Sequence, residues 1–147
     1  MPRDRSGPPE GARVSTVTHR VAFYETDAMA IVHHSNYIRF FELARIVWMD
    51  EQHRPYADYV ADGLHFATTH VAVDYHQPAR YDDLVEIDTW PLWVRGASLA
   101  MAYAIRLGDA VLVTGVTEHA MVDEASGRPR RIPKEWRERL AATIVSQ

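Results

Sequence analysis

A chain of 147 residues, 47% hydrophobic and 24% charged, is long enough for one domain with its own hydrophobic core. Its formal net charge of −4 argues against a surface built to neutralise nucleic-acid phosphates, and with no cysteine it can form no disulfide, thiol nucleophile or cysteine-ligated metal site. No apolar run approaches the ~20 residues of a membrane span and the N-terminus has no apolar signal core, so a cytoplasmic protein is expected.

Residues 1–13 carry three of the eight prolines, two glycines and alternating charges, which predicts a disordered N-terminal arm followed by a single domain over 14–147. From Ser15 the residues Val17, His19, Val21 and Phe23 alternate with Thr16, Thr18, Arg20 and Ala22, the period of a strand with one buried face. Ser35 and Asn36 are good helix caps, and a helix is predicted from there to Gln52. Tyr37, Phe40, Phe41, Ala44, Val47 and Trp48 share one side of it, while Ile38, Leu43, Ile46 and Met49 lie on the other. A helix apolar on most sides is one surrounded by protein. Glu42 and Arg45, three apart, are spaced to pair on its surface.

Pro55 opens a short second helix that Gly63 stops. Strands follow. Val71, Val73 and Tyr75 alternate up to Pro78, and Val85 and Ile87 begin a strand running through Trp90 and Trp93 to an Arg95-Gly96 turn. Leu99, Met101, Tyr103, Ile105 and Leu107 alternate with Ala100, Ala102, Ala104 and Arg106, and the small face is the one against which a helix is expected to pack. Gly108-Asp109 makes a hairpin into a last strand from Val111 to about Val122. A turn over 123–127 and a terminal helix from Pro133 complete the chain. One strand, one enclosed helix and four strands joined by tight turns predict an α+β domain with an antiparallel sheet wrapped around the helix.

The segment from Glu25 to Tyr37, ETDAMAIVHHSNY, places an acid, two histidines and a helix start between the first strand and the long helix. Together with the following IRFFELAR it resembles the signature of the hotdog-fold acyl-CoA thioesterases, the 4-hydroxybenzoyl-CoA thioesterase-like family. VDYHQPARYDDLVEI, ASLAMAYAIR and GDAVLVTGVTEHAMVDEASGRPRRIP resemble that family's later strands and tail, so the resemblance spans most of the chain. It implies dimers or tetramers built by joining sheets, with active sites at the subunit interface. Two departures stand out: the family often has glycine where Ala30 stands, narrowing the approach to the turn here, and Asp82-Asp83 replaces a common Gly-Asp pair. An aromatic residue is also usual where His33 stands.

On this resemblance Asp27 matches the catalytic acid, either as general base on water or as a nucleophile. His34 matches the histidine at the helix entrance, where the first-turn N–H groups lack partners and the helix dipole is positive, a place for an oxyanion to be stabilised. Tyr24, His33 and Tyr37 are candidate substrate contacts, and Arg80, Arg95 and Arg128 are candidates for coenzyme A phosphates. The histidines lack a ligand spacing such as H-x-x-x-H, so neither a metal nor a cofactor is expected. The expected activity is hydrolysis of an acyl- or aryl-CoA to free acid and CoA, by a homodimer or homotetramer. A thioesterase acting on an acyl carrier protein, or a non-catalytic acyl-binding domain, are the alternatives. Neither a nucleic-acid nor a membrane partner is expected.

Overall fold

The computed structural model describes residues 7–144, so the first part of the predicted arm lies outside the described residues. Five strands form one antiparallel sheet in the order β1-β3-β4-β5-β2, where β1 is Ser15–Arg20, β2 Leu64–Tyr75, β3 Leu84–Arg95, β4 Ser98–Leu107 and β5 Ala110–Asp123. The long helix α1 spans His34–Gln52, α2 spans Tyr56–Ala61 and α3 spans Lys134–Ala141. The predicted α+β class and the sheet wrapped on one long helix are both found, and this is the hotdog arrangement. None of the helices is long and apolar enough to cross a membrane, among the described residues.

Helix α1 fills the sheet's concave face. Tyr37, Phe40, Phe41, Ala44, Trp48 and Met49 are buried there with Ile87, Leu99, Met101, Tyr103 and Ile105. Phe41 stacks on Tyr103, ring centroids 4.3 Å apart. It also lies so close to β5 that a Cβ on Gly115 would collide with its ring. The face of β4 that meets the helix is therefore the large one, contrary to the sequence expectation. The small face, Ala102 and Ala104, instead receives Trp90 together with Ala12 and Val14. Close approach of helix to sheet comes from the neighbouring strand, at Gly115.

Two boundaries and one burial pattern also differ from expectation. Strand β1 ends at Arg20, because the chain turns at Val21, whose N–H donates to the Asp83 carbonyl, and enters a 3₁₀ turn over Phe23–Glu25. Phe23, expected on the buried face, is 76% exposed. The cap of α1 is His33, not Ser35 or Asn36: the His33 ring nitrogen Nδ1 accepts from the Ser35 N–H at 3.2 Å. Nor does α1 bury all its sides, since Ile38 and Leu43 are 40% and 42% exposed. Where the chain enters β1, the Trp48 indole donates to the Arg13 carbonyl at 2.9 Å.

Candidate active site

The segment between β1 and α1 is held by a buried carboxylate. Glu25, 8% exposed, accepts from the Ala22 N–H at 2.7 Å and contacts His19 Nε2 at 2.8 Å. Its carbonyl accepts from the His33 N–H and from the Asn36 side-chain amide at 2.8 Å. The two ends of the loop are thus tied to one residue. Glu25 was not among the predicted site residues, although an acid three residues after a turn start is the spacing of a capping box.

Within this frame Asp27 heads a tight turn. Its N–H donates to the Ile31 carbonyl at 2.8 Å, its own carbonyl accepts from Ala30, and its Oδ1 accepts from the Met29 N–H at 2.8 Å. The turn requires Ala30 at φ 64°, in the left-handed region. The adjoining loop carries Asp82 at φ 70°. Both residues occupy the positions where the resembled family commonly has glycine.

A cavity of about 320 Å³ opens beside the turn, bounded by Asp27, Ile31, Val32, His34, Tyr37 and residues 75–78 at the end of β2. His34 is the first residue of α1, and its N–H has no acceptor among the described residues. The start of the helix, with its unpartnered first-turn donor and positive dipole end, thus adjoins the cavity that Asp27 also lines. The Tyr75 hydroxyl donates to the His34 carbonyl at 3.1 Å, fixing the helix start against β2. The Tyr37 hydroxyl accepts from the Ala79 N–H at 3.1 Å, and burial pushes its pKa up, so it stays protonated. The walls are mainly apolar and aromatic, suited to a carbon chain or ring, with Asp27, His34, His76 and Gln77 as the polar residues.

Of the other predicted contacts, His33 stacks on His34 with ring centroids 4.2 Å apart. Tyr24 is 84% exposed and outside the cavity wall. Arg80 pairs by backbone with Ile31, so it borders the Asp27 turn, but it does not line the cavity. Arg95 and Arg128 lie at the opposite end of the sheet. Arg95 closes the β3–β4 hairpin and Arg128 accepts from Asp123, which pairs with Leu64 at the start of β2. Gln77 and Pro78 bound the cavity without having been singled out; only a register linking the end of β2 to the helix entrance could have found them. Among the described residues, no group of three or more His, Asp or Glu is placed to hold a metal.

Residues 21–140 match the thioesterase-like superfamily. The acyl-CoA thioester hydrolase YbgC of Escherichia coli is 32% identical over 116 residues, covering 78% of this chain and 87% of that protein. A DHNA-CoA thioesterase from Staphylococcus aureus superposes with a TM-score of 0.83 at 26% identity, covering 87% of this chain and 89% of that one. A hypothetical protein from Aquifex aeolicus superposes with a TM-score of 0.80 at 34% identity, covering 86% and 98%. The match over most of the chain and the agreement in fold lead to one conclusion: this chain belongs to the thioesterase-like superfamily, as a thioester hydrolase with the hotdog fold.

Proposed function

We propose that the protein hydrolyses acyl- or aryl-CoA thioesters, with Asp27 as the reacting carboxylate and the His34 N–H as the donor to the carbonyl oxygen. The observation that carries this reading is the shared cavity: Asp27 and His34, whose N–H has no acceptor among the described residues, line one space with mainly apolar walls. The relatives named for acyl-CoA and DHNA-CoA hydrolysis support the substrate class.

In the base route, Asp27 takes a proton from water as the water oxygen attacks the thioester carbon. The oxyanion forms against the His34 N–H and the helix dipole, where a fixed donor stabilises developing charge. Collapse breaks the C–S bond, and CoA leaves as the thiol after receiving the proton. In the nucleophile route, an Asp27 oxygen attacks the carbon and expels CoA, and water then hydrolyses the mixed anhydride. Both routes use the same two groups, and both give the free acid.

The assembly follows from the edge strand. Residues 67–70 of β2 are exposed at the sheet edge, across a cavity from the exposed Ile38 of α1, and Leu43 of α1 is exposed as well. A twofold axis through that edge would pair β2 with a second β2 antiparallel, giving the homodimer or homotetramer expected here. It would also carry the Arg95 and Arg128 end of one chain toward the Asp27 cavity of the other. That is how these arginines would reach coenzyme A phosphates.

The test is a panel of acyl- and aryl-CoA substrates with a thiol reagent reporting released CoA. Release from at least one of them, lost in Asp27→Asn, is expected. Tight binding without release across the panel would favour the acyl-binding alternative, and release only from acyl carrier protein would move the substrate class.

A further inference from the structure

Beyond the thioester site, and resting on the thioesterase reading, we propose a second subsite in the same groove. It takes a carboxylate at the far end of the acyl chain, with the Arg45 guanidinium as the recognising group.

Arg45 is 7% exposed. The sequence pairs it with Glu42, but no ion pair to Glu42 forms, and among the described residues no carboxylate lies within ion-pair distance of the guanidinium. Instead an Nη1 donor points at His119 Nε2 at 3.3 Å, and Nε has no hydrogen-bond partner. The groups it approaches in the interior are neutral. His119 is fully buried, and burial together with the charge of Arg45 lowers its pKa to about 3, so it is an uncharged imidazole. The same ring contacts Thr117 Oγ1 at 2.7 Å and Thr68 Oγ1 at 3.2 Å, and Thr117 is in turn bonded to the Tyr103 hydroxyl. A buried full charge among neutral dipoles lacks the counter-charge that buried ions require.

Arg45 also borders open space. A cavity of about 310 Å³ lies between α1 and β2, with Ser35, Arg45, Thr68 and Thr117 as polar wall, Ile38 and Val71 as apolar wall, and the exposed Arg39 as a second cation beside it. Glu42 stands exposed at its rim. Helix and strand run in opposite directions here. The Tyr75 hydroxyl meets the start of α1 at His34, and Thr68 shares His119 with Arg45 further along. The Asp27 cavity and the Arg45 cavity therefore follow one another along α1 and β2, the first bounded by Tyr37 and Tyr75 and the second by Ile38 and Val71.

The spacing sets the ligand. Eleven helical residues from His34 to Arg45 advance ~16 Å, at ~1.5 Å per residue. Helical side chains lean back toward the N-terminus by about one turn, which leaves roughly 10 Å from the carbonyl position to the guanidinium. An extended chain advances about 1.2 Å per bond, so about eight bonds span the gap. The matching substrate is a medium-chain ω-carboxyacyl thioester. A planar, permanently charged guanidinium is the side chain best shaped to bind a terminal carboxylate.

The experiment compares octanedioyl-CoA with octanoyl-CoA on wild type, Arg45→Met and Glu42→Gln. It also compares free octanedioate with free octanoate as thermal-shift ligands. Wild type should favour the diacid thioester about tenfold or more in kcat/KM, the size of a charge-assisted hydrogen bond. Arg45→Met should erase that preference while still hydrolysing octanoyl-CoA, and Glu42→Gln, which removes a repelling charge, should enlarge it. If Arg45→Met does not fold, the wild-type preference and the Glu42→Gln response decide. Octanedioate should raise the melting temperature of wild type more than octanoate does. Octanoyl-CoA hydrolysis with no diacid preference would overturn the subsite and leave the thioesterase reading intact. Selective octanedioate binding without hydrolysis of either thioester would keep the subsite and sink that reading. Loss of dimer in Arg45→Met and Glu42→Gln, with no discrimination between ligands, would mean that a second copy of the chain supplies the counter-charge, overturning the proposal.

Discussion

Asp27 and Ala30 sit in one turn and make opposite demands on it. Asp27 spends Oδ1 on the Met29 N–H, a bond an amide oxygen can also accept, so Asp27→Asn should fold with little loss of stability. It removes the basic, nucleophilic oxygen, and turnover should fall on the order of 10² to 10⁴ with substrate affinity nearly unchanged. Single-turnover and binding measurements on the best panel substrate separate these effects; a folded Asp27→Asn enzyme with full turnover would refute the assignment. Ala30, by contrast, holds φ 64° with a Cβ, a conformation costing about 1–2 kcal/mol for an L-residue. Ala30→Gly should relieve this, offset in part by the greater freedom of glycine in the unfolded chain, for a net gain of about 0.5–1 kcal/mol. Urea unfolding of the two proteins checks it. Asp82, the other residue standing where glycine is common, bears its φ of 70° more easily, because aspartate tolerates this region, and its carboxylate pairs with Arg20 at 3.3 Å.

Helix α1 and strand β5 meet at Gly115, and this contact could not be read from the pattern of either element. Alternation along β4 gave its two faces correctly, but side-chain size suggested the wrong one for the helix. The large face faces α1 because Phe41 needs Tyr103 to stack on, and room for Phe41 comes from a missing Cβ one strand away. Periodicity reports which residues share a face, while depth depends on cross-strand register, which the sequence does not display. The helix start was legible to within two residues for a similar reason: Asn36 has a capping side chain, but tertiary structure engages it with Glu25 and leaves the cap to His33. Gly115→Ala should cost about 1–3 kcal/mol by overpacking, read as a lower urea midpoint at unchanged slope. The strand also carries His119, whose pKa of about 3 lies below the ordinary value of 6.5, because burial and Arg45 disfavour its charged form. The folded state therefore binds fewer protons than the unfolded chain below pH about 6.5. Stability is fully present above that pH and falls as the pH drops toward 3, by about 1.4 kcal/mol per pH unit from this residue. His119→Gln, neutral throughout, should reduce the slope measured between pH about 7.5 and 5.5, leaving the part due to His53, whose pKa burial lowers to about 4.

At the scale of the molecule, the sheet ends in two unequal edges. Strand β1 offers six residues, and the chain before it packs beside Trp90 through Ala12 and Val14. Strand β2 offers twelve, with an irregularity between Thr68 and His70, and residues 67–70 exposed along it. An exposed strand of that length invites pairing with another. Across a cavity from it α1 presents Ile38, and Leu43 is exposed on the same helix, so a second chain packed on this edge would also cover apolar helix surface. The same pairing would bring Arg95 and Arg128 from the far end of one sheet toward the Asp27 cavity of the next, so assembly and turnover should be linked. Wild-type protein should sediment as a dimer or tetramer at micromolar concentration. Leu43→Lys places a charge on the exposed stripe without touching the buried face of α1 or the Asp27 turn. It should shift the protein toward monomer, with a circular dichroism spectrum like the wild type and thioester hydrolysis lost in proportion to the monomer fraction. Deleting residues 1–10 should change neither property, since Ala12, Arg13 and Val14 remain to pack. A stable Leu43→Lys monomer that hydrolysed thioesters at the wild-type rate would show that one chain carries a complete site, and the proposed role of Arg95 and Arg128 would then have to be given up.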